Sequence, residues 1–279
     1  MKLSAQVQGE RLLTNNSADD RYASYSPGGN HILFESKRDD QWDIYIMDSN
    51  GQNQKRLTQH DSSDRRPSWH PSGDLILFES NRTGRFELYE LHIADQRLSN
   101  IAIGDPEAEP IFARYSPDGS SIAMAIKFSE STAEIGRYDR TTKQLDLLTD
   151  NQLRSFYPNW SPDGERLVFF SRHDTDNQDD EIYTMDIPTG MLQRLTNWPK
   201  HNFCPSWSHS GTLIAYVTSM EDIRPEIYVM DADGANQRRI TFNQDGDTLP
   251  QWSPDDTKLL VTGYRNGNFE IVEITLSEQ

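Results

Sequence analysis

Short apolar runs alternate with polar, turn-forming clusters along the whole chain, and the runs carry the period of strands rather than of helices. Ile32-Leu33-Phe34, Leu75-Ile76-Leu77-Phe78 and Leu167-Val168-Phe169-Phe170 each follow a turn cluster. Further on in each unit comes a stretch such as Glu181-Ile182-Tyr183-Thr184-Met185-Asp186, whose alternation suits a strand packed on both faces. The unit then closes on a short segment such as Gln193-Arg194-Leu195-Thr196. Four antiparallel strands per unit are predicted.

The unit occurs six times. Its anchor is an aromatic residue, at Tyr25, Trp69, Tyr115, Trp160, Trp207 and Trp252, with separations of 44, 46, 45, 47 and 45 residues. That spacing matches a four-stranded propeller blade. A column at Thr14, Thr58, Gly104, Thr149, Thr196 and Thr241 lies 11 residues before each anchor, so one connection has constant length. An acidic column at Asp43, Glu87, Glu134, Glu181, Glu226 and Glu270 lies 18 to 21 residues after it, so the variable length falls in the hairpin before the acid. One four-stranded sheet cannot bury both faces, whereas six arranged radially can, with each anchor wedged between blades. Residues 9–14 copy the last strand of a unit, and the sixth unit reaches Gln279 after three strands. The expectation is therefore an all-β, six-bladed β-propeller occupying residues 1–279 as one domain, with residues 1–14 completing the last blade.

The phrases Trp160-Ser161-Pro162-Asp163-Gly164, Glu181-Ile182-Tyr183-Thr184-Met185-Asp186 and Arg194-Leu195-Thr196 resemble the repeat of TolB-type six-bladed propellers, and residues 207–241 carry a second close copy. The same repeat is similar to propeller segments of prolyl-oligopeptidase-like and tricorn-like proteases and of oligogalacturonate lyases. The resemblance to the TolB type implies a scaffold that docks a lipoprotein partner on one propeller face. TolB-type proteins also carry an α/β domain ahead of the propeller, for which the six repeats leave no residues here.

Charge narrows the partners. With 27 basic and 44 acidic residues the net charge is −17, which repels nucleic-acid backbones and anionic lipid at long range. No run has the length of a membrane span, and residues 1–7 lack the apolar core of a secretory signal, so the chain as written is expected in the cytoplasm, or in the periplasm if a signal peptide has been removed. A monomer is expected. The single Cys204 can form no internal disulfide.

Chemistry is sparse in the sequence. There is no Gly-x-Ser-x-Gly elbow, and the Ser residues before Pro fit turn positions. The seven His residues are scattered, without the close pairing of a metal site, and the oxygen-rich run 174–180 lacks the Gly and distal Glu of a calcium loop. The expectation is no enzyme, no cofactor and no metal, with a carbohydrate lyase or hydrolase at the channel mouth as the alternative.

A ligand or protein partner is expected where the variable hairpins and the constant connections meet. Five residues before their anchors, Asp20, Asp64 and Asp247 form an acidic sector, faced across the ring by Arg154 and His201. The hairpins add Arg38, Arg82 and Arg265, with Trp42, Phe86 and Phe269, in the adjacent blades six, one and two. The acidic column is expected to be structural, bonding backbone or the hairpin residues Arg38, Arg82, Arg172 and Arg265.

Overall fold

The computed structural model describes residues 7–277, except 105–107, 130, 151–152, 176–178 and 220–223. Six four-stranded antiparallel sheets make six blades. The first blade runs Asp20–Tyr25, His31–Ser36, Asp43–Asp48 and Lys55–Arg56 from the channel outward. The sixth pairs Asp247–Trp252, Lys258–Arg265 and Asn268–Leu276 with Val7–Leu12, so the amino-terminal strand closes the ring as the repeat predicts. That closing strand is exposed along its length, and Leu13, just past it, is the buried residue.

The repeated residues now have physical roles. In the turn after each anchor, Gly164 donates to the Ser161 carbonyl at 2.9 Å with φ of 73°, a conformation glycine adopts without steric cost. The Ser161 hydroxyl accepts the Arg166 N–H at 2.9 Å, and Ser26, Ser116, Ser208 and Ser253 do the same five residues on. The anchors bridge blades: the indole N–H groups of Trp69, Trp160 and Trp252 donate to carbonyls of Ser24, Arg114 and Ser206 in the preceding blade.

The threonine and acidic columns form one clamp. Thr196 donates its hydroxyl proton to Glu181 and accepts the Ile182 N–H at 2.8 Å, tying the last strand to the third. The same clamp joins Thr149 to Glu134 and Thr241 to Glu226. The arginine that completes it comes from the Arg-Leu-Thr strand, not from the hairpin: Arg194 holds Glu181 at 2.9 Å, Arg239 holds Glu226 at 2.9 Å and Arg56 holds Asp43 at 2.6 Å. The side chain two residues from the threonine lies on the same sheet face, which brings it directly over the acid. A Thr196→Val protein should lose about 1–3 kcal/mol, because a buried carboxylate and a buried N–H each lose a partner. An unchanged denaturant midpoint would contradict this role.

One feature has no glycine signal in the sequence. Three residues before every anchor the inner strand bulges through a left-handed residue: Tyr22, Arg66, Phe112, Tyr157, Cys204 and Leu249, with φ between 49° and 59°. Bulky residues disfavour this region, so each position is held by its surroundings.

Candidate functional site

Each inner strand begins, and each second strand ends, at the same end of the channel, so connections and variable hairpins gather on one loop face. Backbone bonds lock them together: Asp64 N–H donates to the Trp42 carbonyl at 2.7 Å, Asn202 to Asp180 at 2.7 Å and Asp247 to Pro225 at 2.8 Å. The loops are thus held by both neighbouring blades.

The mouth does not present an acidic sector opposite a basic one. Arg82 holds Asp64 at 3.0 Å, Arg265 holds Asp247 at 2.8 Å, and Arg38 lies 3.7 Å from Asp20. All three Asp residues are fully buried, and a buried carboxylate needs a partner. Burial pushes Asp20 and Asp247 up, against the lowering by Ser36 and Asn16 at Asp20 and by Arg265 and Asn243 at Asp247. On the other side Arg172 holds Asp180 at 2.8 Å, with Arg154 4.0 Å from the same carboxylate. The Asp180 N–H donates to His201 Nδ1 at 3.1 Å. Arg154, Arg172 and His201 therefore converge on Asp180, with Arg154 and His201 also open to solvent. Arg38, Arg82 and Arg265 thus serve the inner-strand aspartates and Arg172 serves Asp180, which corrects the expectation that these four serve the acidic column, although the hairpin residue Arg85 does hold Glu87 at 3.0 Å.

The three hairpin aromatics do come together, linked by two arginines, Arg21 and Arg65, that were not among the expected site residues. Arg21 Cζ lies 6.0 Å from the Phe269 ring centroid and 3.9 Å from that of Trp42. Arg65 lies 5.9 Å from Trp42 and 5.4 Å from Phe86. Phe269, Arg21, Trp42, Arg65 and Phe86 form an alternating ladder across blades six, one and two, each step a cation–π contact. Trp42 is buried, while Phe86 and Phe269 are half-buried.

Beneath the ladder lie two carboxylates that were also missed. Glu35 and Glu79 end apolar strands in blades one and two and are fully buried. Glu35 accepts Arg21 at 3.1 Å and the Arg66 backbone N–H at 2.7 Å. Glu79 accepts the Phe112 N–H at 2.6 Å and pairs with the Arg66 guanidinium. These acids supply acceptors for the N–H groups of two bulges. Three guanidinium groups, of Arg21, Arg65 and Arg66, thus meet two carboxylates, leaving one positive charge. The odd cation is Arg65: among the described residues its guanidinium has aromatic contacts only, and its Nε is buried without an acceptor. Burial lowers the Arg65 pKa, partly offset by the field of Glu35.

Below the mouth several bulge side chains meet one another. Phe112 lies 5.2 Å from Tyr157 and 6.4 Å from Tyr22, ring to ring, with Arg66 4.5 Å from Phe112. Burial pushes Tyr22 up to about 12 and raises the Cys204 thiol, so both keep their protons at neutral pH and Cys204 is no thiolate nucleophile. Beside this cluster a cavity of about 460 Å³ is lined by Tyr22, Phe203, Leu249, Tyr264 and Phe269 and reaches Arg21. Among the described residues no three His, Cys, Asp or Glu side chains gather to hold a metal ion. Residues 176–178 of the oxygen-rich run lie outside the described residues.

The model of the TolB beta propeller domain matches residues 7–178 and 114–279. The chain belongs to the TolB β-propeller family. An uncharacterised protein of Agrobacterium fabrum is 31% identical over 171 residues, covering 58% of this chain and 57% of that protein. The Tol-Pal system protein TolB of Francisella tularensis is 33% identical over 128 residues, covering 42% of this chain and 28% of that protein. YuxL of Bacillus subtilis, named an uncharacterised peptidase, is 29% identical over 108 residues, covering 38% of this chain and 16% of its own length. The matches thus span 16% to 57% of these relatives' lengths. Among solved structures, TolB from Acinetobacter baumannii aligns at a TM-score of 0.70 and 20% identity, over 94% of this chain and 64% of that one. An oligogalacturonate lyase in complex with manganese aligns at 0.69 and 17%, over 99% and 96%. A gluconolactonase of Xanthomonas campestris aligns at 0.73 and 11%, over 98% and 92%. At these identities the structures show the shared fold alone.

These matches overturn the expectation that the chain is not an enzyme. The sequence relatives include a named peptidase, and near-complete structural matches include a lyase and a lactonase. The repeat encodes the frame, whereas chemistry resides in the loops that the frame carries, so missing hydrolase motifs exclude little. Among the described residues no helix is long and apolar enough to cross a membrane.

Proposed function

We propose that this propeller recognises a protein partner on its loop face, with one acidic group of the partner seated on Arg65. The observation that carries the reading is the uncompensated Arg65 guanidinium within an arginine–aromatic ladder. Guanidinium groups flanked by aromatic rings are typical interface anchors. The same face exposes apolar contacts on its connecting loops: Phe242 is 72% exposed and Trp198 42% exposed. Charge limits the ligand, because a net −17 opposes polyanions while the local surplus is a single positive charge. A partner with one carboxylate set among apolar side chains fits both facts.

The test is quantitative capture of partners from cells of the source organism by the full chain. An Arg65→Gln protein should recover the principal partner about tenfold less, the scale of one lost charge-assisted contact. Phe242→Ser should weaken it by a smaller factor. Equal recovery by all three folded proteins would end this reading.

A second reading keeps the same anchor but changes the ligand: a saccharide or sugar acid processed at the loop face. It is favoured by the fold shared with the oligogalacturonate lyase and the gluconolactonase. Arg65 would then neutralise a sugar carboxylate during reaction. Turnover of uronate oligosaccharides or aldonolactones that vanishes in Arg65→Gln would establish this reading over the first.

A further inference from the structure

The end of the propeller opposite the loop face, where the Ser-Pro-Asp-Gly turns gather, is its turn face. There blades two and three are separated by an open cleft of about 520 Å³. The repeat breaks at the wall of this cleft. One column of the third strand carries Met47, Leu91, Met185, Met230 and Ile274 in five blades, but Tyr138 in blade three. The Tyr138 ring packs in the apolar cluster that holds Ile122 and Leu145. Tyr138 is only 5% exposed and lines the cleft, and its hydroxyl is neither bonded among the described residues nor sealed from solvent. Burial, with the Glu90 charge beside it, raises the phenol pKa, so the hydroxyl keeps its proton. A phenol placed where an apolar side chain serves elsewhere carries a desolvation cost that no bond within the fold offsets.

The groups around Tyr138 are partly committed and partly open. Glu90 Oε1 accepts from the Tyr115 hydroxyl and from Arg140 at 2.7 Å, and Arg140 also donates to the Gly119 carbonyl at 3.0 Å. Asn100 gives its amide to Glu87 at 3.1 Å. What remains without a partner among the described residues is Glu90 Oε2, the Asn100 side-chain carbonyl, the Thr141 hydroxyl and the Lys143 ammonium, all from residues that line the cleft. Glu90 and Asn100 can only accept there, Lys143 can only donate, and Tyr138 and Thr141 can do both. Ile101 and Ala102 add an apolar flank. An anion would meet the open Glu90 oxygen in a protein of net charge −17, and a cation would meet Arg140 and Lys143. Uncharged hydroxyl groups on a C–H framework satisfy both kinds of open group.

We infer that the cleft between blades two and three binds a neutral saccharide, whose hydroxyls meet Tyr138, Glu90, Asn100, Thr141 and Lys143. The saccharide is either a free sugar or a unit of a longer glycan. This site is separate from Arg65 and does not depend on the function proposed for the loop face.

Calorimetric titration of the whole chain tests it with glucose, galactose, N-acetylglucosamine, cellobiose and chitobiose, and with glucuronate and glucosamine as charged analogues. Saturable binding of at least one neutral sugar is expected, with both charged analogues weaker. Tyr138→Phe should weaken that binding about tenfold. This variant keeps the ring and matches the apolar column of the other blades, so its melting temperature should equal or exceed the parent's. Lys143 occupies a left-handed position with φ of 59°, where blade four has Gly190 at 70°. Lys143→Gly should therefore also fold at least as well as the parent while binding severalfold more weakly. Arg65→Gln should bind sugar as the parent does. Tighter binding of a disaccharide than of its monosaccharide assigns the cleft to a glycan chain, and equal binding assigns it to a free sugar. Absence of saturable binding by every neutral sugar, tighter binding of glucuronate or glucosamine, or undiminished binding by Tyr138→Phe would overturn the inference.

Discussion

Deleting the first fourteen residues should produce the largest loss of stability of any change considered for this chain. Val7–Leu12 pairs with Asn268–Leu276, and the pairing continues through the Leu13 N–H to the Ile271 carbonyl at 2.9 Å. Thr14 then accepts the Ile271 N–H at 2.9 Å. About five backbone bonds at roughly 1 kcal/mol each, with about 2 kcal/mol for burying Leu13, approach the whole stability of an ordinary domain. The deletion also bares the edge of the longest strand, an invitation to intermolecular pairing. The truncated protein should aggregate or melt far below the parent on a thermal scan with light scattering. An unaltered melting temperature would show that ring closure contributes little.

The second large effect is expected at the buried charge cluster. Arg66→Met removes the partner of Glu79, which is fully buried, and should cost about 3–5 kcal/mol. Adding Glu79→Gln should restore part of the loss, since the glutamine carbonyl still accepts the Phe112 N–H while the unpaired charge is gone. A denaturant double-mutant cycle checks this, and purely additive losses would contradict direct coupling. Burial raises the Glu79 pKa in the parent, opposed by Arg66 and the Phe112 N–H. A carboxyl raised on folding adds stability at low pH and loses it as the pH rises from the ordinary carboxylate range toward the folded value. Without Arg66 that rise is greater, so the deficit of Arg66→Met should be largest at neutral pH and shrink as the medium is acidified.

The frame of this molecule was legible because its determinants repeat. Anchor, turn serine, threonine and acid each recur in register, and a residue that recurs in every blade reports the blade. The candidate site was less legible because its members break the repeat. Glu35 and Glu79 stand where the other blades carry Ala125, Phe170, Val217 and Thr262, and a column-wise reading passes over such exceptions. The bulges carry Tyr, Arg, Phe, Cys and Leu, so no glycine betrays their left-handed backbone. One signal was present and unused: Asp20, Asp64 and Asp247 each precede an arginine by 18 residues, at Arg38, Arg82 and Arg265. A constant offset between opposite charges in neighbouring strands foretells pairing, and it removes those six residues as free charges. What it leaves is Arg65, distinguished only by the partners of its neighbours Arg21 and Arg66.

Site-specific photo-cross-linking tests the central claim most directly. A benzophenone side chain placed at Phe242 reports on the loop face, and one placed at Asp163 reports on the turn face. The principal partner captured by the parent should cross-link from position 242, and the yield should fall about tenfold when Arg65→Gln is added. Cross-links to that partner from position 163 alone, or a yield from 242 indifferent to Arg65, would place recognition elsewhere on the propeller.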